Sequence, residues 1–492
     1  IFLFMILLGT ILLNIIYLSK KAYPLRYILP GTIFMLMLIV YPLIYTFYVS
    51  LTNYGTGHVL SKEQVIRQME DRYYLPEDAE TFGFTAFKAD DNYVLLFENN
   101  QGKLLLGKEG KIYPVSKKDS ALQDDTELHD DSALQDSDGD GTIDRYNNYE
   151  IMSKGEIFKN LSTLQGLEYV YDNKVLRMQN YSNFATYHQQ YKYLPARDVM
   201  VDLKTGVEYF PEEGTFISDN REVLLPGFRS YLGWDNFQRI LKDKRISAPF
   251  IRVFIWTFVW AFLSVLTTFA LGLLLAILLN DRYLRLKKLY RILLILPYSI
   301  PAFISAMIWH GLFDTEVGVI NKILESIAGS GIPWLIDPFW AKVAVIIVNL
   351  WLGYPYMMII ILGSLQSIPG SYYEAAAIDG ATIWQQFRYI TLPLLLVSIA
   401  PLLISCFAFN FNNFNVIYLF NRGRPAIANA QTPAGATDIL ISYTYRLSFE
   451  SGRGADFGLA SAVTIFIFII TALITWFNFR YTGALEDVKE NV

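Results

Sequence analysis

Residues 374–393 read EAAAIDGATIWQQFRYITLP, a polar segment of helical composition caught between two long apolar stretches, and so an element of a membrane surface. Pro369 stands where a helix can start, because its missing N–H would be unpaired there in any case. Residues 372–378 are helix-compatible. Asp379-Gly380 then supplies a stop, since glycine tolerates the left-handed conformation that follows a helix end. Thr382 can cap a second helix that carries Trp384, Phe387 and Ile390 at i, i+3, i+6 spacing. The expected product is a helix–glycine–helix elbow.

The chain is 53% hydrophobic and 15% aromatic, and its mean hydropathy is positive, which places it in the membrane class. Seven apolar stretches, at 1–18, 27–50, 250–280, 292–313, 341–365, 392–420 and 457–479, approach or exceed the roughly 20 residues of a spanning helix. A net charge of −5 decides nothing, because the charges are unevenly spread. The single cysteine, Cys406, falls inside a span, which excludes an internal disulfide and a cysteine-based metal site.

Short loops set the orientation. Lys20, Lys21 and Arg26 stand without an acid, and Arg282, Arg285, Lys287, Lys288 and Arg291 face Asp281 alone. The positive-inside rule puts both loops in the cytoplasm, the elbow with them, and residues 51–249 outside. Seven spans ending in the cytoplasm require an external N-terminus, yet Ile1 opens in mid-run. A preceding span is therefore expected, a removed signal sequence being the other possibility. The chain divides into two N-terminal spans (1–50), an external domain (51–249), a five-span core (250–480) and a cytoplasmic tail (481–492).

The external stretch of about 200 residues is long enough for its own core. Residues 93–97, 103–106, 166–171, 175–178 and 199–203 read as strands, 61–73 as a helix, and Asp172-Asn173-Lys174 as a hairpin connection. An α+β or mainly β domain follows. Inside it DSALQ at 119–123 recurs at 131–135, and ten acids face three bases between Lys117 and Arg145. Asp136, Asp138, Asp140, Gly141, Thr142 and Asp144 match positions 1, 3, 5, 6, 7 and 9 of a calcium loop, but position 12 is Asn147 where a bidentate glutamate belongs. Calcium is the ligand expected there, against a solvated acidic loop.

The sixth span holds Cys406, Phe409, Asn410, Asn412, Asn413 and Asn415. Amides at this density are expensive in hydrocarbon unless they face a cavity or a partner helix. Residues 406, 410 and 413 follow i, i+4, i+7 and would share one helical face beside Phe409. Amides donate to and accept from hydroxyls while a ring covers a sugar's C–H face, so the stripe fits a saccharide; the other reading is interhelical polar glue. Gly353 and Pro355 in the fifth span are expected to break its regularity and allow close approach.

The order Glu-Ala-Ala, three residues, Gly, nine residues, Ile-x-Leu-Pro resembles the EAA loop of ABC-importer permeases. PYMMIIILG at 355–363, FAFNFNNF at 407–414, TPAGATDIL at 432–440, YTYR at 443–446 and DFGLA at 456–460 are similar to the larger permease subunits of maltose/maltodextrin importers. The likeness extends to a large external domain between the second and third spans, and the family's eight spans agree with one missing here. It implies an α-helical polytopic membrane protein of the type I ABC importer permease fold. It implies sugar contacts at Leu352, Gly353, Tyr356, Phe409, Asn410 and Asn413, with a family serine replaced by Cys406, a weaker donor. Glu374, Ala375, Ala376, Asp379 and Gly380 would couple the elbow to an ATPase dimer. A second permease, an extracytoplasmic sugar-binding protein, the sugar and membrane lipid are the other partners implied, and no nucleic acid.

The sequence contains no Gly-x4-Gly-Lys-Ser/Thr phosphate loop, so any ATP hydrolysis belongs to a separate subunit. A secondary carrier would show intramembrane carboxylates, which the fifth and sixth spans lack. A calcium-binding surface receptor would leave the elbow and the amide stripe unexplained.

Overall fold

In the computed structural model of the chain, residues 23–490 are described except 91, 100, 116–133, 136–142, 173, 282, 451 and 453, together with 10, 14 and 16–18. Two compact units emerge, one formed by Ile1–Thr56 with Arg229–Val492 and the other by Gly57–Phe228. The expected external domain, 51–249, is therefore wider than the unit observed. Asn236 explains part of the difference: its Nδ2 donates to the carbonyls of Ser50 and Thr52 at 2.9 and 2.8 Å, tying both flanks into the first unit.

The helices of the first unit are α1 (Arg26–Ser50), α2 (Asp235–Lys242), α3 (Lys244–Asn280), α4 (Lys287–Ser299), α5 (Ala302–Leu312), α6 (Val319–Ala328), α7 (Pro338–Gln366), α8 (Gly370–Ile378), α9 (Ile383–Phe411), α10 (Phe414–Asn421), α11 (Leu440–Phe449) and α12 (Phe457–Glu490). Among the described residues α1, α3, α7, α9 and α12 are long and apolar enough to cross a membrane. The stretch 292–313, expected as one span, is α4 and α5 bent by 91°. Pro301 is the cause: it denies its predecessor the helical region, and Ile300 is extended at φ −90°, ψ 130°. The stretch 392–420 is likewise broken, α9 ending at Phe411 and α10 starting at Phe414. The first expected span, 1–18, lies largely outside the described residues.

Helices α3 and α7 form the central seam. A Cβ on Gly353 would stand 2.8 Å from the Thr268 methyl, and one on Gly272 2.9 Å from the Met358 backbone N. The two glycines therefore set the interaxial distance. Helix α7 runs unbroken through Gly353 and Pro355, contrary to the break expected there; close approach is what the glycine provides.

The connection from α10 to α11 is locked by a buried acid. Asp438, fully buried, accepts from the Gly435 N–H, the Ser442 hydroxyl and Arg446 Nη1 at 2.7, 2.8 and 2.7 Å. Burial pushes its carboxyl up to about 6, with Arg446 pulling the other way. A raised carboxyl means that ionisation works against folding, so this group's contribution to stability is lost as pH rises through 6 and regained below it. Removing it still takes the buried partner from Arg446 Nη1 and leaves that side chain only its half-buried pair with Glu450 among the described residues. Asp438→Ala is expected to destabilise by about 3 kcal/mol, read as a lowered melting midpoint of the purified protein at neutral pH; an unchanged midpoint would show that the lock is redundant.

In the second unit an antiparallel meander runs through Thr81–Ala89, Asn92–Asn99, Leu104–Lys108 and Lys111–Pro114. The hairpin Glu168–Tyr171 with Lys174–Met178, followed by Asn183–Gln189, continues the same sheet. A second, five-stranded sheet spans Tyr191–Leu194 to Val223–Leu224. Helix Lys62–Glu70, closed by a capping box at Ser61 and Gln64, buries Val65 and Met69 against Met200 and Phe216 of that sheet. Every strand and the helix expected from sequence are present, in a mainly β domain.

Candidate functional site: a cavity at two helix breaks

Asn349, Leu352, Gly353 and Tyr356 recur at i, i+3, i+4, i+7 along α7 and so share one face. That face, the broken end of α9 and the α4–α5 bend enclose a cavity of ≈ 690 Å³. All seven residues expected to touch a ligand line it: Leu352, Gly353, Tyr356, Cys406, Phe409, Asn410 and Asn413. The volume suits a small oligosaccharide.

The amides divide by role. Asn349 Nδ2 donates to Asn410 Oδ1 at 3.0 Å, and Asn413 Nδ2 donates to Asn349 Oδ1 at 3.4 Å. Asn410 Nδ2 is further held by the Cys406 carbonyl at 2.9 Å, and Trp260 Nε1 donates to the Asn410 carbonyl at 3.0 Å. Asn349 and Asn410 are buried, forming a clamp between α7 and α9, whereas Asn413 is half-buried and Asn415 exposed to the cavity. Asn412 faces the other way, its Nδ2 reaching Thr471 Oγ1 on α12 at 3.3 Å. Interhelical bonds thus hold Asn349, Asn410 and Asn412, while Asn413 and Asn415 reach the cavity wall. The expected single helical face is corrected as well: Asn413 is the N-cap of α10, accepting from the Val416 N–H, because the helix has already ended at Phe411.

Aromatic rings complete the wall. Tyr298 stacks on Tyr356 with centroids 6.3 Å apart and an interplanar angle of 20°, and Phe409 is 69% exposed. Broad ring faces beside unsaturated amide groups can pack on sugar C–H surfaces and exchange hydrogen bonds with hydroxyls.

The elbow forms as its sequence dictates. Pro369 is the N-cap of α8, and Gly380, at φ +80°, follows the C-cap Asp379. The Ala381 N–H reaches the Ala376 carbonyl at 2.8 Å and the Gly380 N–H reaches Ala377 at 3.1 Å, the paired bonds of a Schellman motif. Thr382 and Gln385 then make a reciprocal capping box that starts α9. Tyr373 and Thr391 hydroxyls, 3.0 Å apart, brace the two arms. Glu374, Ala375, Asp379 and Gly380 are exposed and Ala376 half-buried. The tip also presents Ile378, Ile383 and Trp384 at 87, 86 and 66% exposure, an apolar surface that needs a partner.

Comparison with known proteins gives this arrangement its family. Residues 268–483 match the binding-protein-dependent transport system inner membrane component, and residues 33–110 match the N-terminal part of TM subunits in PBP-dependent ABC transporters. The maltose/maltodextrin transport system permease protein MalF of Vibrio vulnificus is 37% identical over 481 residues, covering 95% of this chain and 87% of its own length. That of Klebsiella aerogenes is 37% identical over 482 residues, covering 96% and 89%. The chain belongs to the MalF family of ABC-importer permeases. As a MalF-family permease it is a multi-pass membrane protein, and the match over 268–483 takes in cavity and elbow together.

Among the cavity residues that the sequence reading did not single out are Asn349 and Tyr298. Asn349 looked like a lone polar residue in an apolar span, although its i, i+3, i+4, i+7 relation to Leu352, Gly353 and Tyr356 was available as a signal. Tyr298 had no such signal, since only the bend after Ile300 turns it towards Tyr356. In the acidic insert, Asp136, Asp138, Asp140 and Thr142 lie outside the described residues. Of the rest, Asn147 sits at φ +47° in the hairpin turn after Tyr146, and Glu150 is paired with Arg145 at 2.8 Å. Among the described residues no cluster of His, Cys, Asp or Glu could hold a metal.

Proposed function

We propose that this chain is the larger translocating subunit of an ATP-driven importer for maltose and maltodextrins. A second permease completes the pathway, an external binding protein delivers the sugar, and a separate ATPase dimer hydrolyses ATP. The observation that carries this reading is the convergence of all seven expected contact residues on one cavity. The basic loops favour the bacterial cytoplasmic membrane, with the elbow inside and the Gly57–Phe228 unit in the periplasm.

Both arms of the elbow are attached to cavity walls. Helix α7, which carries Asn349 and Tyr356, feeds into α8, and α9 runs from the elbow arm at Ile383 to Phe411 as one 29-residue helix. Movement of Trp384 is therefore transmitted over about 40 Å of continuous helix to Phe409 and Asn410. Closure of an ATPase dimer around the elbow would re-space α7 and α9, opening the cavity to the outside and, after hydrolysis, to the cytoplasm. The chain's own part is to bind the sugar and to change which side has access to it; it performs no bond chemistry.

The test is ATP hydrolysis by the reconstituted complex across a panel of sugars with the binding protein present. Maltose and short maltodextrins should stimulate it, and stimulation by unrelated solutes alone would overturn the assignment. Cys406→Ser restores a hydroxyl donor at the cavity wall, and should tighten the half-saturating sugar concentration by roughly fivefold, equivalent to about 1 kcal/mol. No change would place position 406 out of reach of the sugar.

We also propose calcium for the acidic insert, on the alternation of Asp136, Asp138 and Asp140 with Gly141 alone. Calorimetry should show binding heat at millimolar calcium, lost in a D138A/D140A variant. Absence of heat from the unmutated protein would leave a solvated loop.

A further inference from the structure

Two cations sit inside the outer ends of two spans without an acid. Arg252 lies two turns into α3, and Lys342 one turn into α7. Neither has an ion-pair or hydrogen-bond partner among the described residues. Trp256, one turn below Arg252 on the same face of α3, carries Lys342 Nζ over its ring at 4.6 Å. Arg252, one turn above Trp256, and Lys342, over its ring, thus both neighbour the same indole. Trp256 is itself fixed, its Nε1 donating to the Thr437 carbonyl at 3.2 Å. The result is a rigid indole flanked by two positive charges, at the end of the bundle opposite the elbow.

Below the cations the same face of α3 is bare. Ile255, Val259, Phe262 and Leu266, spaced at three or four residues from Arg252 onward, are 57, 39, 58 and 47% exposed. From Ile255 to Leu266 the track is about 16 Å long at 1.5 Å per residue, close to half of a hydrocarbon core of about 30 Å. Cations without an acid beside a buried indole, above an apolar track about one leaflet long, complement a phosphate head and its acyl chain.

We propose that Arg252, Trp256 and Lys342 form the headgroup site of an anionic phospholipid in the leaflet opposite the elbow, its acyl chain lying along Ile255, Val259, Phe262 and Leu266. Arg252 and Lys342 share the phosphate charge, and the indole holds both at one depth. Nothing in this site depends on which sugar is carried.

Native mass spectrometry of the purified importer complex, titrated with phosphatidylglycerol or phosphatidylethanolamine in mixed micelles, tests this. The unmutated complex should retain phosphatidylglycerol selectively. R252Q/K342Q should need roughly tenfold or more phosphatidylglycerol for the same occupancy, while R252K/K342R keeps the selectivity and shows that the fold is intact. R285Q/K288Q, which removes charge at the elbow end, should leave it unchanged. Equal retention of both lipids by the unmutated complex overturns the proposal, as expected if a partner helix covers this face. Equal selectivity in R252Q/K342Q overturns it too, by placing the anionic lipid elsewhere.

Discussion

Gly380→Asp is expected to abolish sugar-stimulated ATP hydrolysis while the chain stays folded in the membrane. Gly380 holds φ +80°, which a side chain adopts at a cost of roughly 1 kcal/mol or more. A Cβ built there meets no atom within 4 Å, so no internal clash adds to that strain. Such a penalty is small beside the stability of a helical bundle and is confined to an exposed tip. The larger effect falls on docking. A second carboxylate beside Asp379 would be placed between the exposed Ile378 and Ile383, on the surface proposed to meet the ATPase. Burying it unpaired costs several kcal/mol, enough to reduce assembly by a hundredfold or more. Co-purification of the ATPase subunit and its stimulated turnover are the readouts. Normal assembly with normal uptake would sink the coupling role of the elbow.

How far the sequence carried the fold depended on whether the signal was local. The elbow's turn was legible, because a proline N-cap, a glycine after the stop and a threonine cap are each decided by neighbours within four residues; the π-helical turn at Phe387–Thr391 in its second arm was not. Five strands of the Gly57–Phe228 unit were legible for the same reason, while Thr81–Ala89 and Asn183–Gln189 were not read. The bent pair α4–α5 was not, although Pro301 stood in plain view. Proline permits either a kinked span or a broken one, and packing against the rest of the bundle decides between them. Cys406, Asn410 and Asn413 do line one cavity, but not by the geometry expected. Helical spacing put Asn413 on the face of Asn410, yet the helix ends at Phe411, and the chain reverses so that Asn413 returns to the same cavity as a cap. Asn349 shares a helical face with Leu352, Gly353 and Tyr356, but its clamp was not legible, because its partners are 61 and 64 residues away. Exposure separated the roles that composition had merged.

That separation gives the second large effect. Asn413→Ala should weaken sugar transport five- to hundredfold, the equivalent of about 1–3 kcal/mol for one lost hydrogen-bonding group, with a loss of stability of about 1 kcal/mol for the α10 N-cap, its bond to Asn349 being long at 3.4 Å. Asn410→Ala should do more. It removes the acceptor for Asn349 Nδ2, leaving a buried donor unpaired between α7 and α9, so both uptake and the melting midpoint of the complex should fall. Asn349→Ala, on a residue with no assigned contact to the sugar, should lower the midpoint and impair transport by letting the two helices separate. The double variant N349A/N410A distinguishes a clamp from two independent contacts. A clamp predicts coupling of about 0.5–3 kcal/mol, so that the double variant is scarcely less stable than either single one. Additive losses of stability would mean that the two amides do not act together, and unchanged uptake kinetics in both Asn410→Ala and Asn413→Ala would reduce the whole cluster to interhelical glue.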